Sequence, residues 1–144
     1  MSSRGSTLLI EWNTFRLLLP IGANLDTLDQ LHNGSDVRPV NVLLLAQSGY
    51  TPLTPPLWLQ NLNPQLVVIS VAAGDKDGLP DKATLDALAG YSVLRTDLNG
   101  WIEVATDGEH AVLSVRDDGT GMTPEVEAKC FDLFFTTKEV GEGT

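Results

Sequence analysis

The chain has 144 residues, 42% of them apolar, with 13 glycines and 8 prolines, a composition that supports one globular domain with a real core. Nine basic against nineteen acidic side chains give a net charge of −10, which argues against nucleic acid or an anionic membrane surface as partner. One cysteine, Cys130, excludes an internal disulfide and builds no metal site alone. No run approaches the ~18 apolar residues of a membrane helix. The opening Met1-Ser2-Ser3-Arg4-Gly5-Ser6 leads into too few apolar residues for a signal peptide, so a cytoplasmic product is expected.

In chain order, Leu8-Leu9-Ile10-Glu11-Trp12 and Phe15-Arg16-Leu17-Leu18-Leu19 flank Asn13-Thr14 and read as a hairpin that Pro20-Ile21-Gly22 ends. Leu25, Leu28 and Leu31 at helical spacing predict a short amphipathic helix over 24–31, before a His32-Asn33-Gly34-Ser35 turn. Residues 40–46, apolar with β-branched residues at their start, and 65–71 read as strands buried on both faces. Between them lie a loop over 50–56 and a short helix over 57–62. After the Gly74-Asp75-Lys76-Asp77-Gly78 loop, residues 80–89 read as a helix ended by Gly90. Residues 92–96 and 101–106 then predict a hairpin across Leu98-Asn99-Gly100. Strands alternating with helices mean an α/β fold, a layered sheet of short strands with helices.

The stretch from His110 onward carries the chemistry. Ala111-Val112-Leu113-Ser114-Val115-Arg116 has the period-2 pattern of a half-buried strand and feeds into Asp117-Asp118-Gly119-Thr120-Gly121. A carboxylate at a strand end, followed by two glycines, suits an acceptor presented to a flat base, because glycine lets a ligand or another backbone approach closely. Thr123-Pro124-Glu125 reads as N-cap, N1 proline and first-turn acid of a helix running to about Lys129. With Phe131-Asp132-Leu133-Phe134-Phe135-Thr136-Thr137-Lys138 and Gly141-Glu142-Gly143-Thr144 behind it, this segment closely resembles the ATP-binding domain of sensor histidine kinases, in the wider GHKL group.

The resemblance implies ATP as ligand. Asp117 stands for the acceptor of the adenine amino group, and Gly119 and Gly121 for the turn beneath the base. Phe131, Phe134 and Phe135 stand for the aromatic box under the ATP lid, with Thr137 and Lys138 after it. Gly141 and Gly143 stand for the start of the glycine-rich turn whose N–H groups cradle phosphates. Leu133 replaces a more usual proline. The family's Gly-Leu-Gly continuation and helix, its Asn-bearing helix upstream and its phospho-acceptor histidine region are not matched, so the magnesium site is expected to be incomplete and no residue is assigned a catalytic role.

A second resemblance covers residues 7–108. The element order, with Phe15-Arg16-Leu17-Leu18-Leu19, Val68-Ile69-Ser70-Val71 and Leu94-Arg95-Thr96-Asp97, looks like the C-terminal half of the metallo-β-lactamase-like domain of ComEC-type DNA-uptake proteins. That family's chemistry needs histidines and a bridging aspartate around two metals. Gly22-Ala23, Gln47-Ser48-Gly49-Tyr50 and Gly78-Leu79-Pro80 stand where the ligands belong, so no metal is expected. The chain therefore reads as a degenerate half-domain, 7–108, joined near Thr106-Asp107-Gly108-Glu109 to a partial ATPase segment, 109–144.

Other tempting residues read as structural. His32 is expected in a solvated turn; Asp75, Asp77 and Asp81 in a solvated acidic loop too short for an EF-hand. Trp12, Trp58 and Trp101 are expected in core or edge packing, and Cys130 as a buried thiol. Half a fold leaves a face uncovered, so self-association through an exposed apolar face is expected. The functions in view are an ATP-binding kinase segment without catalysis of its own, and a metal-free scaffold, or a chain without function, descended from a DNA-uptake hydrolase domain.

Overall fold

The computed structural model describes residues 6–33 and 39–116. It is an α/β fold built on a mixed five-stranded sheet of order β1-β2-β3-β4-β5, with a two-stranded antiparallel sheet, β6-β7, beside it. The first hairpin forms as the sequence predicts. β1 (Leu8–Trp12) and β2 (Phe15–Leu19) pair with Trp12 opposite Phe15, and Asn13 takes a φ of +51°, which asparagine tolerates in a two-residue turn.

From β2 onward the sheet is parallel. β3 (Val42–Leu44) lies beside β2, β4 (Leu66–Ile69) beside β3 and β5 (Val93–Arg95) beside β4. The helices α1 (Leu25–Asn33), α2 (Pro56–Leu62) and α3 (Lys82–Ala87) are the crossovers that parallel pairing requires. Leu18, Leu43 and Val67 stand in register on one sheet face and form one core with Leu28, Trp58, Leu59, Leu62 and Leu88. All the crossovers therefore cover the same face. Each such buried side chain contributes roughly 1.5–3 kcal/mol.

Several boundaries differ from the sequence expectation. β3 and β4 are shorter than 40–46 and 65–71, because Ala46 enters a turn and Val71 is bonded by a side chain rather than a strand: Thr96 Oγ1 accepts from Val71 N at 2.8 Å and donates to Val71 O at 2.7 Å. α1 runs on through His32 and Asn33, where a turn was expected; residues 34–38 lie outside the described residues. α3 covers only 82–87, and Gly90, at φ +93°, closes the turn after it. Of the three tryptophans expected in core or edge packing, Trp58 is in the core, while Trp12 on the edge strand β1 and Trp101 on β6 are more than half exposed.

The largest correction concerns residues 92–106, which do not form a hairpin. β5 joins the parallel sheet, and residues 96–99 form a helical turn, α4 (Thr96–Asn99). Asn99 Oδ1 accepts from Arg95 N at 2.9 Å and Gly100 takes a φ of +71°, so the Asn-Gly pair ends a helical turn instead of reversing a strand. β6 (Trp101–Thr106) pairs instead with β7 (Ala111–Arg116), from Trp101 opposite Arg116 to Thr106 opposite Ala111. Residues 106–109, expected as the junction of two segments, are the turn of this hairpin.

The β6–β7 hairpin starts beyond β5 at one edge of the sheet and is tied at its tip to the other. Gly108 O accepts from Thr14 N at 3.0 Å and Phe15 N at 3.1 Å, in the β1–β2 turn. A six-residue strand spans ~20 Å at ~3.3 Å per residue, and four strand spacings of ~4.8 Å span ~19 Å. The hairpin therefore crosses the sheet, on the face the helices leave open. Its alternation agrees: Ile102, Val104 and Thr106 are half-buried and Trp101, Glu103 and Ala105 exposed.

Candidate functional site

β7 is the strand that leads into the segment expected from the sequence to bind nucleotide. Val112, Leu113 and Val115 suit a half-buried strand, and its last residue, Arg116, sets its guanidinium over the Trp101 ring at 5.2 Å from the centroid. That cation–π contact, between cross-strand partners, is worth ~0.5–1 kcal/mol at an exposed site and holds the end of the strand. The motif residues Asp117, Gly119, Gly121, Phe131, Phe134, Phe135, Thr137, Lys138, Gly141 and Gly143 all lie outside the described residues, as does Cys130.

Within the described residues, the other concentration of unusual geometry is the carboxyl edge of the parallel strands, where α/β sheets bind ligands. After β3 the chain makes a left-handed turn, with φ of +43° at Gln47, +53° at Ser48 and +85° at Gly49. Non-glycine residues there cost of order 1–2 kcal/mol each, so neighbours must hold them. Asp81 supplies the hold: its N–H donates to Gly49 O at 3.3 Å and its Oδ2 accepts from Thr51 N at 2.7 Å. Thr51 and Thr84 share a hydroxyl bond at 3.1 Å, and a Cβ at Gly49 would lie 2.7 Å from Pro80 Cβ.

Two of the three stretches expected from the second resemblance to stand at metal-ligand positions, 47–50 and 78–80, pack against each other. Gly22-Ala23 follows the adjacent strand, β2. Of the three acids of the expected solvated loop, Asp75 and Asp81 are tied to backbone, whereas Asp77 is exposed as expected. Asp75 Oδ1 accepts from Asp77 N at 3.0 Å and Leu79 N at 3.2 Å, and Asp81 acts as above. Among the described residues no group of three His, Cys, Asp or Glu side chains is placed to hold a metal ion. Gln47, Ser48 and Tyr50 offer only neutral hydrogen-bonding groups at this edge.

Two clamps escaped the sequence reading. Thr96, whose hydroxyl bridges both backbone groups of Val71, carried a weak signal as a hydroxyl directly after a strand. Asp97 binds Arg95 through two bonds, 3.0 and 2.6 Å, and this hydrogen bonding raises the guanidinium pKa above its ordinary value. Both fix the root of the β6–β7 hairpin.

The chain is 33% identical over 85 residues to the sensor kinase CckA of Brucella abortus (strain 2308), a match covering 54% of this chain and 8% of that protein. The chain thus spans a small fraction of the curated relative it matches. The matched length exceeds the stretch 110–144, so the similarity takes in residues upstream of it. No protein-family model matches the chain, and no solved structure matches it. Among the described residues no helix is long and apolar enough to cross a membrane.

Proposed function

We propose that residues 109–144 form the adenine-binding part of a sensor-histidine-kinase ATP site, carried behind the α/β unit of residues 7–108. The observation that supports this best is the 33% identity over 85 residues to a sensor kinase. In this reading Asp117 accepts from the adenine amino group, and Gly119 and Gly121 leave room beneath the base. Phe131, Phe134 and Phe135 pack the lid ahead of Thr137 and Lys138. The N–H groups around Gly141 and Gly143 meet the phosphates. The role assigned is nucleotide binding; no phosphotransfer is assigned, since the magnesium-side residues of the family are not matched.

Calorimetric titration of the chain with Mg-ATP tests the proposal. The chain binds nucleotide, and Asp117→Asn, which replaces a charged acceptor by a neutral amide, weakens binding by about 10- to 100-fold, the loss of one charged hydrogen bond. No heat of binding from the unaltered chain sinks the reading.

A second reading has an observation of its own. The convergence of 47–50 and 78–80 at the carboxyl edge favours residues 7–108 as a metal-free scaffold of metallo-β-lactamase-like descent, although the terminal hairpin expected of that family does not form over 92–106.

A further inference from the structure

Among the described residues the exposed apolar surface is concentrated on β1, an edge strand of the sheet. Leu8, Ile10 and Trp12, which share one face, are 51%, 40% and 53% exposed, and every other residue of the strand is exposed too. Edge strands usually carry charge or proline to prevent pairing. β1 has one charge, Glu11, and Arg16 Nε binds it at 2.9 Å.

The free hydrogen-bonding groups of this edge are identifiable. Arg16 turns both its N–H and its C=O away from β1, to Asn41 Oδ1 at 2.7 Å and Asn41 N at 2.9 Å. Glu11 opposite Arg16 is therefore a non-bonded pair, and by the antiparallel alternation Ile10 bonds to Leu17. Leu9 and Glu11 then point their N–H and C=O groups outward. Among the described residues no strand takes them.

We infer that β1 pairs with β1 of a second copy of this chain, antiparallel, about a two-fold axis through Ile10. The strand is self-complementary in this register. Leu9 opposes Glu11 of the other copy twice, giving four backbone hydrogen bonds between groups that all face outward. Leu8 opposes Trp12 and Ile10 opposes Ile10, which joins two exposed apolar stripes into one. Moving the axis to Glu11 sets two carboxylates against each other, and moving it to Leu9 leaves Trp12 facing Ser6. The product is one sheet of ten strands continuous across the dimer.

Sedimentation equilibrium of the whole chain, from about 1 to 500 μM, reads the association. Leu9→Pro is the discriminating variant: it removes an outward N–H and keeps the bonds to β2, since proline is tolerated where a strand's N–H faces solvent. It raises the dimer dissociation constant by about 10- to 100-fold, two hydrogen bonds per dimer, with circular dichroism and melting unchanged. If that variant fails to fold, cysteine scanning decides. In a Cys130→Ser background, Ile10→Cys forms an oxidised dimer, because facing residues of a non-bonded pair lie ~4.5 Å apart, whereas Leu9→Cys and Glu11→Cys do not. A chain that stays monomeric throughout, a dimer indifferent to Leu9→Pro, or equal cross-linking at all three positions overturns the inference.

Discussion

Gly49 shows how one residue decides a local structure. Its φ of +85° and the 2.7 Å approach of Pro80 Cβ to the position of a Cβ exclude any side chain there on two separate grounds. Gly22 provides the comparison, with a φ of +69° and nothing within 4 Å. Gly22→Ala is expected to cost about 1 kcal/mol of backbone strain, and Gly49→Ala about 2–4 kcal/mol, read by urea denaturation. Equal losses would mean that the loop after β3 gives way freely to Pro80. Trp58 illustrates the reverse case, in which a large ring fills the core although its indole N–H has no partner among the described residues. Burial of the ring outweighs an orphan donor that costs ~1–3 kcal/mol.

Among the elements, β5 and the β6–β7 hairpin pair differently from expectation, and the hairpin's tip has a titratable lock. Asp107 Oδ1 accepts from the N–H groups of Glu109 at 2.9 Å and His110 at 2.7 Å, and these bonds lower its pKa from 3.8 to about 2. A carboxyl lowered in the folded state stabilises above its unfolded pKa and stops doing so as pH falls through the folded one. The amide resonances of Glu109 and His110 are therefore expected to titrate with a midpoint near pH 2, and Asp107→Asn to abolish that titration. A midpoint near 4 contradicts the lock. The strands themselves were legible: the period-2 runs 101–106 and 111–116 have the bounds the residues predict. Their partners were not, because Asn99-Gly100 is a turn signal that serves a helical C-cap as well as a hairpin.

At the scale of the whole molecule, the helices cover one face of the sheet, the hairpin crosses the other, and among the described residues no strand pairs with the outer edge of β1. The scaffold reading is tested at this scale. The unfolding transition is expected to be the same with and without a chelator, and stoichiometric zinc in the purified protein would overturn it. What the amino-acid sequence determined by itself is what depends on near neighbours. Asn13-Thr14 between two apolar runs specifies the first hairpin, helical spacing of Leu25, Leu28 and Leu31 specifies α1, and apolar β-branched runs specify the buried strands. The candidate nucleotide residues from Asp117 to Gly143 also come from sequence alone, because a motif is a local pattern. Tertiary structure decided what depends on residues far apart: the parallel placement of β5, the crossing of the sheet by β6 and β7, and the clamps of Thr96 on Val71 and of Asp81 on Thr51. In each, several local conformations are nearly equal in energy. The choice falls to contacts made far along the chain, 25 residues away for Thr96, 30 for Asp81 and 94 for the hairpin tip at Gly108, which no local pattern encodes.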